Sequence, residues 1–112
     1  MRYAVPVTDG RLAAHFGHCQ QFAIFDADEA NKTIQKKEII ASPGHEPGLL
    51  PTWLAEHGVS AVIAGGMGLR AQSLFGENHI RVITGTMESD PEKAVLHYLN
   101  GTLATGDNIC DH

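Results

Sequence analysis

The run Ser60-Ala61-Val62-Ile63-Ala64, leading directly into Gly65-Gly66-Met67-Gly68, restricts the fold of this 112-residue chain more than any other segment. Its apolar residues are continuous rather than alternating, which suits a strand with apolar layers on both of its faces. Such a strand belongs in a sheet covered by helices on each side, and the glycines mark its turn into the next helix.

The flanking segments supply those helices. Leu50, Trp53, Leu54 and His57 recur at helical spacing before the stop at Gly58. Leu69, Ala71, Gln72 and Phe75 mark a second helix ending near Gly76 to His79, and Ile80 to Thr84 form the last strand. Ser89-Asp90-Pro91-Glu92 is predicted to be a capping box with proline in the first turn, opening a third helix whose Ala94, Val95, Tyr98 and Leu99 share a face as far as Gly101. Upstream, Tyr3 to Val7 form a strand ending at the turn Thr8-Asp9-Gly10. Gln21 to Asp26 and Thr33 to Ala41 form an antiparallel hairpin about the polar turn Asp28 to Lys32, and a loop runs from Ser42 to Gly48. A hairpin followed by alternating helices and strands predicts an α/β sandwich around a mixed sheet.

At 12.0 kDa one domain suffices, and it is assigned to residues 1–101, with 102–112 as a flexible tail lacking periodicity. The net charge of -5, with dispersed basic residues apart from Lys32, Lys36 and Lys37, argues against nucleic acid as a partner. No apolar run approaches the ~20 residues of a membrane span, and the N-terminus enters a strand without signal-peptide architecture. A soluble, cytoplasmic protein is expected. In a reducing compartment Cys19 and Cys110 stay thiols, with a Cys19–Cys110 disulfide as the alternative.

His15, His18 and Cys19 share one short loop, His45 sits in a second, and Cys110 and His112 lie near the C-terminus. Imidazole and thiolate are the donors that select zinc, copper(I), iron and iron–sulfur clusters, so these six are the candidate metal ligands. The bland reading is dispersed surface histidines, and His57, His79 and His97 are assigned to it.

Gly65, Gly66, Met67 and Gly68 have two readings of their own. Backbone without Cβ lets N–H groups approach an anion at a helix N-terminus, and a sulfide-bearing cluster is such an anion. Alternatively the turn merely requires glycine. The segment lacks the Lys-Ser/Thr of a P-loop and the spacing of a dinucleotide fingerprint, and Met67 reads as a packing residue. If the first strand and the Ser60 to Ala64 strand are parallel neighbours, the ligand loop and the glycine turn lie on one rim.

Taken together, His15-Phe16-Gly17, Gly65 to Ala71 with Phe75, Val82 to Gly85, and Gly101-Thr102-Leu103 through Cys110-Asp111-His112 resemble the dinitrogenase iron-molybdenum cofactor biosynthesis family, which includes NifX-like proteins and the C-terminal domain of NifB. The resemblance implies an RNase H-like α/β/α sandwich with a five-stranded mixed sheet. It also implies binding of an iron–sulfur or iron–molybdenum-type cluster, or of a mononuclear soft metal such as zinc, with cofactor-assembly proteins as donor and acceptor. The contacts carried over are His15, His18, Cys19 and Gly65 to Gly68, with His45, Cys110 and His112 as further ligands. No radical-SAM cysteine motif is present, so synthesis of the cluster is not implied.

Three functions compete. The first is a non-enzymatic metal-cluster carrier. The second is a small anion- or nucleotide-binding regulatory module using the glycine turn. The third, a metal-dependent RNase H-like hydrolase, needs several carboxylates around two cations about 4 Å apart, and only Asp9 and Asp26 stand near strand ends.

Overall fold

Strand β1, Arg2–Thr8, is buried from Tyr3 to Val7 because both of its faces are covered. A computed structural model describes residues 1–13, 19–44 and 48–103. The remaining elements are β2 (Arg11–Leu12), β3 (Gln21–Asp28), β4 (Thr33–Ala41), α1 (Leu49–Glu56), β5 (Ala61–Ile63), α2 (Leu69–Glu77), β6 (Arg81–Ile83) and α3 (Pro91–Leu99).

The six strands make one mixed sheet in the order β4-β3-β1-β5-β6, with β2 paired to β1 off this path. β3 runs antiparallel to both β1 and β4, whereas β5 is parallel to β1 and to β6. Strand alternation divides the core in two. Ala4, Phe22, Ile24 and Val62 face α1 and α2, meeting Leu50, Leu54 and Phe75. Tyr3, Val5, Val7, Ala23, Phe25, Ala61 and Ile63 face α3, meeting Ala94 and Val95. The sandwich therefore has three layers.

The expected five-stranded sheet is corrected to six strands. β2 has only two residues, too short for any periodicity, and the tertiary fold holds it. Leu12 N–H donates to the Ser89 carbonyl and Ala13 N–H to the Pro6 carbonyl, each at 2.8 Å. The second contact also accounts for a proline inside a central strand. The nitrogen of Pro6 faces the same side as its carbonyl, and β5 has already ended there, since its pairing with β1 stops at Ala4↔Val62. The missing N–H therefore stands where the ladder with β5 ends.

The cap of α3 also differs from the expected box by one residue. Asp90, not Ser89, is the N-cap: its Oδ1 accepts from Glu92 N at 3.0 Å and from Lys93 N at 3.3 Å. The N–H of Asp90 donates to Glu88 Oε1 at 3.1 Å, so the reciprocal bond comes from two residues upstream instead of from Glu92.

β4 is the long outer edge of the sheet, with Lys36, Lys37 and Glu38 exposed and a register shift where Asp26 and Ala27 face it. At the amino end of β1, Arg2 clamps three elements. Its guanidinium donates to Asp26 of β3 at 2.7 and 3.3 Å and to the His57 carbonyl after α1 at 2.6 Å, and this bonding holds the Asp26 carboxyl below its ordinary range. Beyond α3, Thr102 N–H donates to the His97 carbonyl at 2.8 Å, and Leu103 packs on the α3-side core. Among the described residues no helix is long and apolar enough to cross a membrane.

Candidate functional site

The parallel pairing of β1 with β5 meets the condition stated for a shared rim, because the carboxyl ends of the two strands lie side by side. After β5 the chain stays tied to the end of β6. Ala64 N–H donates to the Ile83 carbonyl at 2.8 Å, while the Gly65 carbonyl accepts from Gly85 N–H at 2.7 Å and the Ala64 carbonyl from Thr86 N–H at 3.3 Å. Gly65, Gly66 and Met67 are buried, and Gly68 is the N-cap of α2.

Gly68 has φ -66° and ψ 155°, ordinary extended geometry, and neither Gly65 nor Gly66 is among the glycines with positive φ. Nothing in the backbone conformation of this turn therefore demands glycine. The turn is tied to the neighbouring backbone at Gly85 and Thr86 before it enters α2. That helix start has no side-chain cap and no acidic residue in its first turn, unlike α3 with Asp90 and Glu92. Among the described residues no side chain caps its first N–H groups, which stand at the positive end of the helix dipole. Thr86, only 8% exposed, holds its Oγ1 buried with no hydrogen-bond partner among the described residues. A lone threonine after a strand carries no sequence signal of such a position.

Cys19 is 1% exposed and belongs to the same buried cluster as Met67, Ala64 and Ala13 on the α1/α2 side. The structure thus brings a thiol and a thioether, both soft donors, into one layer beneath the rim. Burial pushes the Cys19 thiol from its ordinary value of 9.0 up to about 11, so without a metal it is a neutral packing group. The expected ligands His15, His18, His45, Cys110 and His112 lie outside the described residues. Among the described residues no three His, Cys, Asp or Glu side chains group closely enough to hold a metal ion. His57, His79 and His97 are exposed, as assigned.

The raised Cys19 value has a consequence for stability. The folded value lies above the unfolded one, so the contribution is complete below about pH 9 and is lost as pH rises through about 11. Tyr3, pushed by burial from 10.0 up to about 12, extends the same trend upward. Urea midpoints should fall across this window, and Cys19→Ala should flatten its lower part. An unchanged slope in that variant would show that Cys19 is not the titrating group.

Over residues 1–101 the chain matches the family described as dinitrogenase iron-molybdenum cofactor. It belongs to that family. An uncharacterized relative from Methanocaldococcus jannaschii is 34% identical over 108 residues, covering 92% of this chain and 89% of the relative. The crystal structure of PH0822 superimposes on this dinitrogenase cofactor family member with a TM-score of 0.85 at 27% identity, covering 95% of this chain and 96% of the other. The apo form of the orange protein from Desulfovibrio gigas shares the fold, with a TM-score of 0.70 at 23% identity over 96% of this chain and 93% of the other.

Proposed function

We propose that the chain is a non-enzymatic carrier that takes up an iron–sulfur or iron–molybdenum-type precursor cluster and passes it between cofactor-assembly proteins in the cytoplasm. The observation that carries this reading is the Gly65 to Gly68 turn, which needs no glycine for its backbone geometry and ends on an uncapped helix start at the rim shared with β1. A cluster is an anion, and backbone N–H groups at a helix start suit its sulfides. Membership of the family and the soft donors Cys19 and Met67 support the same cargo. His15, His18, Cys19, His45, Cys110 and His112 are the proposed ligands, with residues 102–112 serving as the segment that brings in the last two. A mononuclear soft metal such as zinc is the alternative cargo. Strand order β4-β3-β1-β5-β6 with β3 antiparallel to its neighbours supports assignment to the RNase H-like folds.

Binding a cluster through Cys19 requires its thiolate, so capture releases a proton and repays the desolvation that holds the thiol neutral. The Thr86 hydroxyl and the uncapped α2 favour one second reading, a small anion- or nucleotide-binding regulatory module at the same turn. The hydrolase reading loses its two carboxylates. Asp26 pairs with Arg2 at the amino end of β1 and Asp9 follows its carboxyl end, about 20 Å apart for a strand of this length. They cannot share a pair of metal ions.

The test is anaerobic purification followed by reconstitution with iron and sulfide. Near-stoichiometric iron and sulfide with visible charge-transfer bands is the expected result. A colourless protein that retains a phosphate-bearing ligand would replace the carrier with the regulatory module.

A further inference from the structure

Gln72 of α2 holds two successive carbonyls of the segment that leads into its own helix. Its backbone N–H donates to the Gly68 carbonyl at 3.1 Å, and its side-chain amide donates to the Met67 carbonyl at 2.9 Å. The first is the ordinary helical bond, whereas the second reaches back to a residue outside α2. A carbonyl only accepts, so it is the amide nitrogen of Gln72 that faces it.

Holding a carbonyl also aims the N–H of the same peptide unit. None of the described peptide bonds is cis, and in a planar trans unit the C=O and N–H point in opposite directions. With the Met67 and Gly68 carbonyls drawn toward Gln72, the N–H groups of Gly68 and Leu69 are turned away from it, out of the helix start. No side chain caps that start. It is also open, since Gly68 is half-buried while Leu69, at 54%, and Arg70 are exposed. Arg70 brings a cation to a first turn without acidic residues, against the preference set by the helix dipole, and among the described residues no ion pair offsets it. Bordering the same turn, Thr86 donates its N–H to the Ala64 carbonyl and keeps a buried hydroxyl with no partner among the described residues. An uncapped helix start with outward N–H groups and an added positive charge suits an anion and repels a bare cation.

We infer that Gln72 is a positioning residue for the proposed cargo: by fixing the Met67 and Gly68 carbonyls it presents the Gly68 and Leu69 N–H groups to the sulfides of an anionic cluster, so that the site selects a cluster over a mononuclear cation. The inference rests on the carrier reading. Its test uses the full-length, isotope-labelled chain, reconstituted anaerobically with iron and sulfide, beside Gln72→Met, which keeps the reach of the side chain and loses the donor. The variant should release iron and sulfide to a chelator roughly tenfold faster. In the cargo-free variant the amide resonances of Gly68 and Leu69 should move while the remaining amide pattern, which reports the fold, is kept. Zinc added alone offers no sulfide to the N–H groups and should be held equally by parent and variant. Gln72→Glu, whose ionised carboxylate cannot donate, should behave like the methionine variant, and Ser73→Ala, at an exposed position of the same helix, should change nothing. Equal release from parent and Gln72→Met, or a matching fall in zinc affinity, would overturn the inference and leave the carrier reading intact. A parent that takes up neither iron nor sulfide would remove both.

Discussion

Phe22→Ala is expected to lower the unfolding free energy by about 3–5 kcal/mol, measured by urea denaturation. Phe22 is fully buried on β3, where it lies between Pro6 of β1 and Ile40 of β4. Its ring meets Trp53 of α1 with centroids 5.7 Å apart, and it belongs to the cluster that includes Cys19, Leu50 and Leu54. Truncation removes the contact that seats α1 on the sheet, and the surrounding strand backbone is too constrained to close the space. A domain of this length has a total stability of roughly 6–17 kcal/mol, so the variant should fold but with much of its margin gone. Phe22→Leu keeps most of the volume and should lose under about 2 kcal/mol. Trp53, the single tryptophan, makes the transition visible by fluorescence. A loss below about 1 kcal/mol in the alanine variant would mean that the α1 layer collapses onto the gap.

The second large effect concerns cargo. The combined replacement of His15, Cys19 and Cys110 by alanine should reduce retention of reconstituted iron and sulfide by roughly a hundredfold or more, since each lost ligand removes several kcal/mol of metal-binding free energy. Alanine at position 19 is a mild change for the fold. Cys19 behaves as a small buried hydrophobe in its present surroundings, so the far-ultraviolet spectrum should be kept while the charge-transfer bands disappear. Retention equal to that of the parent would sink the carrier reading.

Most of the fold was legible because its signals are local. Thr33 to Ala41 coincides with β4, and the apolar run at Ala61 to Ile63 gave the doubly covered strand whose parallel pairing with β1 builds the rim. What failed depended on contacts distant in sequence. β2 exists because Ser89 and Pro6 accept its hydrogen bonds, and no pattern in Arg11-Leu12 announces that. The cap of α3 lies at Asp90, whose own N–H is taken by Glu88 from outside the helix. In the site, the chemistry of Cys19 was legible but its burial was not. A cysteine following two histidines reads as a loop ligand, yet it is 1% exposed and belongs to the buried cluster that includes Met67 and Ala64 from the turn after β5.

The outer edge described for β4 determines how other proteins can meet this one. A nine-residue strand with one side unpaired among the described residues is an invitation to further strands, and here two lysines, a glutamate and an irregular register stand along it. Charge and local twist of that kind discourage edge-to-edge growth. The opposite border, β6, offers only three residues. Growth of the sheet by addition of further strands is thus disfavoured at both of its described borders.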